Sequence, residues 1–319
     1  MPLLKQFFLL YKEKRNLIKA VIDLGTNSIK CIIAEIDNNS IRILKQVTFI
    51  TKLGRKLQKN DELGLEVQED AIEALKSIQQ LCNTLKVEQV VCAGTEALRR
   101  AQDSASFLKK IKQQFGWQVY VLSPEMEAKL IFLASSNIIP AGQKAMLVES
   151  GGGSTEFIFG YREKFLSYNY FSFGALTLTN KFIHNDPISP EEFNALKDFL
   201  KQKLEQTFPE PKNLFSVASG GGATTLASVS LQLAHFEDEA IHNYFLTSEE
   251  IKRQVKLYKT LNSEQRRKIK GMQPGREDII LASAVIYQQI ATHFNLPGFI
   301  ISSRGIRYAL LQYELKSLN

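Results

Sequence analysis

Two six-residue segments constrain this chain more than anything else in it. Asp23-Leu24-Gly25-Thr26-Asn27-Ser28 and Glu149-Ser150-Gly151-Gly152-Gly153-Ser154 both read acid-x-Gly-x-x-Ser, 126 positions apart. Each joins two β-rich runs: 20–24 and 29–36 around the first, 145–149 and 156–159 around the second. A glycine-containing turn between such runs predicts a hairpin. The same hairpin repeated at long spacing predicts two lobes of similar build. Each lobe would then offer one turn to a shared cleft.

The remaining pattern fits α/β lobes. Strand 41–49 precedes a helix over 69–85, where Ile72, Leu75, Ile78, Leu81 and Leu85 share one face. Strand 87–93, helix 96–115, strand 117–122 and helix 124–138 follow, and such alternation predicts a partly parallel sheet. Ser123 caps and Pro124 opens the last of these helices. Beyond the second turn we expect helices over 174–184, 189–207, 249–260, 263–270, 276–294 and 305–318. Strands are expected over 165–172, 214–219 and 299–302. No low-complexity linker is present, so the lobe boundary is expected within helix 124–138. The short apolar run at the N-terminus reads as an amphipathic helix, not a signal segment, because its charge follows the apolar residues.

The turns suggest anion chemistry. Successive backbone N–H groups in a glycine-rich turn form a nest for an anion, and Ser and Thr hydroxyls add donors. A carboxylate beside such a turn suits Mg²⁺ held largely through water and bridging to phosphate. A third run, Ser219-Gly220-Gly221-Gly222-Ala223-Thr224-Thr225, follows a strand and opens a helix, where a phosphate or nucleotide is favoured.

Composition narrows the setting. The 319 residues favour two domains. Lys and Arg outnumber Asp and Glu by 40 to 33, a net +7 that serves an anionic partner or solubility equally well. Cys31, Cys82 and Cys92 form no CxxC and read as buried, reduced thiols of a cytoplasmic protein. The four histidines lack metal-ligand spacing. No apolar stretch reaches spanning length, so no membrane association is expected.

With these segments go several more specific blocks: Gly94-Thr95-Glu96-Ala97-Leu98-Arg99-Arg100-Ala101, Ser123-Pro124-Glu125-Met126-Glu127-Ala128-Lys129, Phe173-Gly174-Ala175-Leu176-Thr177-Leu178-Thr179, Pro274-Gly275-Arg276-Glu277-Asp278 and Ser303-Arg304-Gly305-Ile306-Arg307. Together they resemble the Ppx/GppA phosphatase family of the actin, Hsp70 and sugar kinase superfamily, over about residues 18 to 315. The resemblance implies an α/β fold of two ribonuclease H-like lobes. Residues 1–124 and 304–319 would form the first lobe, and 125–303 the second. It implies Glu127 as the carboxylate that activates water, with Glu156 a further acid at the second turn. Arg99 would bind the phosphate chain. Gly25, Thr26, Asn27 and Ser28 would cradle phosphate, as would Gly151, Gly152, Gly153, Ser154 and Thr155, with Gly220, Gly221 and Gly222 as the third phosphate or nucleotide element. Asp23 and Glu149 would attend Mg²⁺, or Mn²⁺ in its place. The family usually has Asp where Glu149 stands.

The activity implied is Mg²⁺-dependent removal of the terminal phosphate of inorganic polyphosphate or of the 5′ phosphate of pppGpp. Two other readings stay open: a polyphosphate or guanosine penta- and tetraphosphate sensor without turnover, hinted at by Glu149, and an ATP-dependent kinase of the same superfamily. The expected partners are these polyanions, with no nucleic acid, and a homodimer is common in relatives. Arg276 reads equally as a cap or ion-pair partner, and Arg266-Arg267-Lys268-Lys270 as a solvated helix face.

Overall fold

In the computed structural model, residues 17–37, 40–57, 61–209 and 214–313 are described. The apolar N-terminal run falls outside them. The chain divides into two compact units: residues 1–134 with 306–319, and residues 135–305.

The first unit is built on a five-stranded sheet. The predicted hairpin forms from β1 (Leu17–Leu24) and β2 (Ser28–Ile36), and β3 (Ile41–Ile50) pairs antiparallel with β2. β4 (Gln89–Gly94) runs parallel to β1, and β5 (Val119–Val121) runs parallel to β4, giving the order 3-2-1-4-5. Helix α1 (Leu65–Thr84) buries Val67, Ile72, Leu75 and Ile78 in one core with Ile22, Leu24, Ile29, Ile33 and Phe107.

The helix expected over 96–115 is two helices, α2 (Glu96–Arg100) and α3 (Ser104–Phe115). The break has a tertiary cause. The Asp103 carboxylate accepts from Leu63 N–H at 2.8 Å, Gly64 N–H at 3.2 Å and the Gln68 amide at 2.8 Å, and Ala101 is extended. Tertiary bonds to this carboxylate outweigh continuation of the helix. α4 (Pro124–Ser135) follows β5, and its Ser123 hydroxyl accepts from Met126 N–H at 3.2 Å, as the Ser-Pro entry predicts. The units divide at Ala134/Ser135, whereas the resemblance placed the boundary at 124/125. A hydrogen-bonded ion pair from Glu127 to Arg99 ties the start of α4 to the first unit.

The second unit repeats this plan. β6 (Ala145–Ser150), β7 (Thr155–Tyr161) and β8 (Lys164–Phe171) form an antiparallel meander. β9 (Phe215–Ser219) is parallel to β6 and β11 (Gly298–Ile301) to β9, with β10 (Phe245–Thr247) added antiparallel at the edge. With the edge strand β10 set aside, the order is again 3-2-1-4-5. The equivalence is residue by residue over most of the sheet. Lys19 pairs with Gln89 in the first unit, and Ala145 with Phe215, both 126 positions on, in the second. Each third strand carries a one-residue bulge at the same register, at Leu44 opposite Ile33/Ala34 and at Leu166 opposite Phe159/Gly160. These are two ribonuclease H-like α/β units, as the resemblance implies.

Helices α5 (Ala175–Phe182), α6 (Pro190–Thr207), α7 (Gly220–Ser230), α8 (Asp238–Ile241), α9 (Ser248–Thr260), α10 (Ser263–Arg267) and α11 (Ile280–His293) complete the second unit. Its own core gathers Val148, Phe157, Leu200, Leu226, Tyr258 and Phe299. α12 (Ile306–Gln312) belongs to the first unit and packs on β1 and β2. Among the described residues, no helix is long and apolar enough to cross a membrane.

Candidate active site

In both units the acid-x-Gly-x-x-Ser turn is closed by the same backbone bond. Gly25 N–H donates to Ser28 O at 3.1 Å, and Gly151 N–H to Ser154 O at 3.0 Å. In the first unit the segment after β3 braces the turn: Lys52 N–H donates to Asn27 O at 2.9 Å and Gly54 N–H to Thr26 O at 2.8 Å. The Thr26 and Asn27 N–H groups take no part in these bonds. In the second unit the start of α5 is the brace. Ala175 N–H donates to Gly151 O, and Leu176 and Thr177 N–H groups donate to Gly152 O, at 2.9 to 3.1 Å. The turn thereby caps a helix whose first N–H groups have no partner within the helix. Ser150 and Thr155 hydroxyls are 3.1 Å apart, and Thr155 donates to Phe173 O at 2.8 Å.

The two acids sit in different electrostatic settings. Side chains directly opposite on an antiparallel pair lie on one face with Cβ atoms about 5 Å apart. Asp23 is opposite Lys30, and Glu149 is opposite Glu156. Asp23 is fully buried; desolvation pushes its carboxyl up, while Lys30 and Arg307 pull it down. Its Oδ1 is buried without a hydrogen-bond partner. In the second unit both carboxylates act on Tyr287, whose phenol is raised chiefly by burial and further by Glu149 and Glu156. Tyr287 donates to Ser219 O at 2.6 Å and accepts from Ser150 N–H at 3.2 Å, tying the ends of β6 and β9 together. Glu149 Oε2 accepts from Ser219 at 2.7 Å, a reach the extra methylene of Glu allows.

These donors fit Mg²⁺ of a particular kind. Among the described residues no group of three or more His, Cys, Asp or Glu forms a metal cage. Mg²⁺ prefers one or two carboxylates together with water and phosphate oxygens. Glu149 and Glu156, opposite each other on β6 and β7, are carboxylates of that kind. Asp23, already near Lys30 and Arg307, needs one less, although its orphaned Oδ1 remains a ready acceptor.

The first unit also brings Arg99 and Glu127 together. Arg99 Nη1 donates to Glu127 Oε2 at 2.6 Å and to Leu122 O at 2.7 Å, and Nη2 donates to Glu96 Oε2 at 3.1 Å. Glu96, for which the sequence suggests no role, is buried. Its partners Arg99 and Arg100 stand one turn on in the same helix, α2, whereas Glu127 and Leu122 O come to Arg99 from separate segments.

At the third glycine run, α7 opens with Gly220 at φ +93°, beside Ser150 O. A Cβ on Gly221 would fall 2.1 Å from Arg276 Nη2, so the guanidinium lies directly over this helix start. Arg276 is 6% exposed, and burial pulls it down to about 10 with Asp278 opposing. A buried cation over a helix N-terminus is an anion-seeking arrangement. Arg266 departs from its expected solvated face. It is 1% exposed and donates to Tyr258 O at 2.9 Å, Glu277 O at 3.1 Å and Asp186 Oδ1 at 3.1 Å. Its ion pair with Asp186 and these carbonyls satisfy the charge inside the protein, because a guanidinium has five donors to place. Arg267 pairs with Glu277 at 2.7 Å.

The fold is a duplicated ribonuclease H-like α/β unit with an acid and glycine turn in each copy. The model of the Ppx/GppA phosphatase family matches residues 32–318, and the chain belongs to that family. It is 31% identical over 308 residues to a bifunctional 3-dehydroquinate synthase/phosphatase of Fusobacterium nucleatum, covering 91% of this chain and 46% of that protein. It thus spans about half the length of that relative. Exopolyphosphatase 2 of Mycobacterium tuberculosis is 26% identical, over 85% of this chain and 89% of its own. A guanosine-5'-triphosphate,3'-diphosphate pyrophosphatase of Photobacterium profundum is 25% identical, over 93% and 59%. A crystal structure of the Aquifex aeolicus member of the Ppx/GppA family superposes with a TM-score of 0.79 at 30% identity, covering 96% of this chain and 99% of that one.

Proposed function

We propose that the chain is a phosphoanhydride hydrolase that removes the terminal phosphate of inorganic polyphosphate, with the 5′ phosphate of pppGpp as the alternative substrate. The observation that carries this is the Arg99–Glu127 pair at 2.6 Å: a cation able to grip phosphate and a carboxylate able to take a proton, side by side in a buried setting. Family membership and the names of the relatives support the same chemistry.

In this reading a water oxygen bonds to the terminal phosphorus while Glu127 accepts its proton. The bond to the bridging oxygen breaks, and the shortened chain leaves with that electron pair. Arg99 grips phosphate oxygens bidentately, with N–H and hydroxyl donors from the turn over 25–28 of the same unit. In the second unit the turn over 151–155 offers like donors, and Glu149 and Glu156 would hold Mg²⁺, which supplies charge neutralisation in phosphoryl transfer. We favour polyphosphate because the chain carries +7 and no guanine-specific pocket can be read from its residues. The engagement of Glu149 by Ser219 favours one second reading, a polyanion sensor without turnover.

A phosphate-release assay with polyphosphate, pppGpp and ATP in Mg²⁺ tests these readings. Release from polyphosphate or pppGpp without a co-substrate supports the hydrolase. Tight binding without release supports the sensor, and ADP formed only with a co-substrate supports a kinase. Glu127→Gln should lower turnover by roughly 10²-fold or more while binding persists. Near-normal turnover in a folded Glu127→Gln protein rejects the assigned base.

A further inference from the structure

Arg99 is shared. Its Nη1 serves Glu127 and Leu122 O, and its Nη2 serves Glu96. Both carboxylates are nearly dry, at 4% and 9% side-chain exposure. Glu96 has a second cation in reach, with Arg100 Nε 3.9 Å from Oε1, and Arg100 pairs in turn with Asp61 at 3.5 Å. On α4 the neighbouring charges, Glu125 and Lys129, pair with each other at 2.8 Å.

This arrangement poses a conflict. A carboxylate held by an arginine is stabilised in its charged form and is a weak proton acceptor. Both N–H groups of Arg99 Nη1 are also spent, on Glu127 and Leu122 O, so this nitrogen reaches a phosphate only by giving one of them up. Glu127 becomes a competent base when the one given up is its own, as phosphate arrives. A buried guanidinium leaves a carboxylate readily only if another one holds it in place.

We propose that Glu96 is a positioning residue for the reaction: it keeps Arg99 anchored while Arg99 exchanges Glu127 for substrate phosphate, and so unmasks the base. The proposal rests on the reading of Glu127 as base and Arg99 as phosphate ligand. Without the Glu96 charge, Arg99 stays on Glu127 and the cleavage step slows. The net charge around Arg99 becomes more positive, so phosphate binding does not weaken.

The test is steady-state phosphate release from polyphosphate by the full chain carrying Glu96→Gln or Glu96→Asp. Glu96→Gln should lower kcat roughly tenfold, less than loss of the base itself, with KM unchanged or lower. Glu96→Asp retains the charge and should recover kcat to within about threefold of the parent, as expected where charge and not volume matters. A kcat within twofold of the parent in Glu96→Gln overturns the proposal. So does a rise in KM that accounts for the loss, or an Asp variant no better than Gln. If Glu96→Gln melts early, the Asp variant decides alone, because a slow but well-folded Glu96→Asp protein contradicts a role for the charge. Glu127→Gln run in parallel separates the two ideas. Normal turnover there removes the base reading and this proposal together, whereas a dead Glu127→Gln with a fully active Glu96→Gln removes only the proposal.

Discussion

Asp23 and Glu149 stand at the same register of the same turn, yet the strand opposite gives the first a lysine and the second another carboxylate. The divergence continues along the equivalent positions. The junction after the fourth strand carries Thr95 and Glu96 in the first unit and Gly221 and Gly222 in the second, 126 positions on. The first turn is braced by an irregular segment with Lys52 at φ 46°, and the second by the start of α5. One backbone frame has thus been given two chemistries. The first unit gathers an arginine and a candidate base, while the second sets two carboxylates opposite each other.

The largest effect should come from that carboxylate pair. Glu149→Ala should raise the Mg²⁺ concentration needed for half-maximal activity by about 100-fold or more, since losing even a group that only orients a ligand costs 10–100-fold. Glu149→Asp should keep or raise activity and alter the preference between Mg²⁺ and Mn²⁺, because it gives up the reach to Ser219. Equal metal dependence in all three proteins would show that Glu149 does not serve the metal.

Stability should separate the units next. A Cβ on Gly25 would lie 3.0 Å from Ser28 O, whereas one on Gly151 meets Ser154 O at 3.7 Å. Gly25→Ala should cost about 1 kcal/mol or more through overpacking against backbone. Gly151→Ala should be neutral or slightly stabilising through the unfolded state. Denaturant melts of both variants check this, and equal losses would mean the turns are not differently packed.

Opposite signs are expected at the cross-strand partners. Lys30→Met removes a countercharge from Asp23 and should lower Tm in metal-free buffer. Glu156→Gln relieves a like-charge pair and should raise it. Each change is worth up to about 1 kcal/mol, or roughly 2–4 °C for a unit of this size. Shifts of the same sign would break the electrostatic contrast drawn between the turns.

The smallest effect concerns substrate. Activity on long polyphosphate should fall more steeply with added KCl than activity on pppGpp, because exposed charges are screened beyond about 8 Å at physiological salt. Lys52 and Lys56 are candidates for such contacts. Arg266 is not, since its charge is spent on Asp186 and backbone carbonyls. Equal salt slopes, together with a preference for pppGpp, would move the assignment to the guanosine substrate.

Much of this is legible in the sequence. The hairpins, the amphipathic helix at 69–85 and the Ser-Pro helix entry are local features, and local periodicity and capping chemistry suffice for them. What escaped depends on distant partners. Asp103 breaks a helix by binding residues about 40 positions earlier, and Arg266 is buried by an aspartate 80 positions away. The helix expected from 276 begins at Ile280, because Glu277 O is engaged by Arg266 Nη1. β10 is three residues long and exists through pairing with β11. Arg99 and Glu127 could be named from motifs, and Glu96 stands one helical turn before Arg99, but the hydrogen bond from Arg99 to Glu127, 28 positions on, belongs to the folded chain alone.

The cysteines give the first unit a built-in reporter. All three lie in its core, where burial pushes Cys82 to about 11 and Cys31 to about 12 and raises Cys92 as well. Thiols so protonated and enclosed are inert to alkylation at neutral pH, so a pulse of maleimide should mark only molecules whose first unit has opened. The second unit holds no cysteine and stays silent in this measurement, while the chain's single tryptophan, Trp117, is also in the first. Labelling and tryptophan fluorescence therefore follow one half of the molecule, and far-ultraviolet circular dichroism follows both. Coincident transitions would mean that the duplicated halves unfold as a single cooperative system, and separated ones that each half melts by itself.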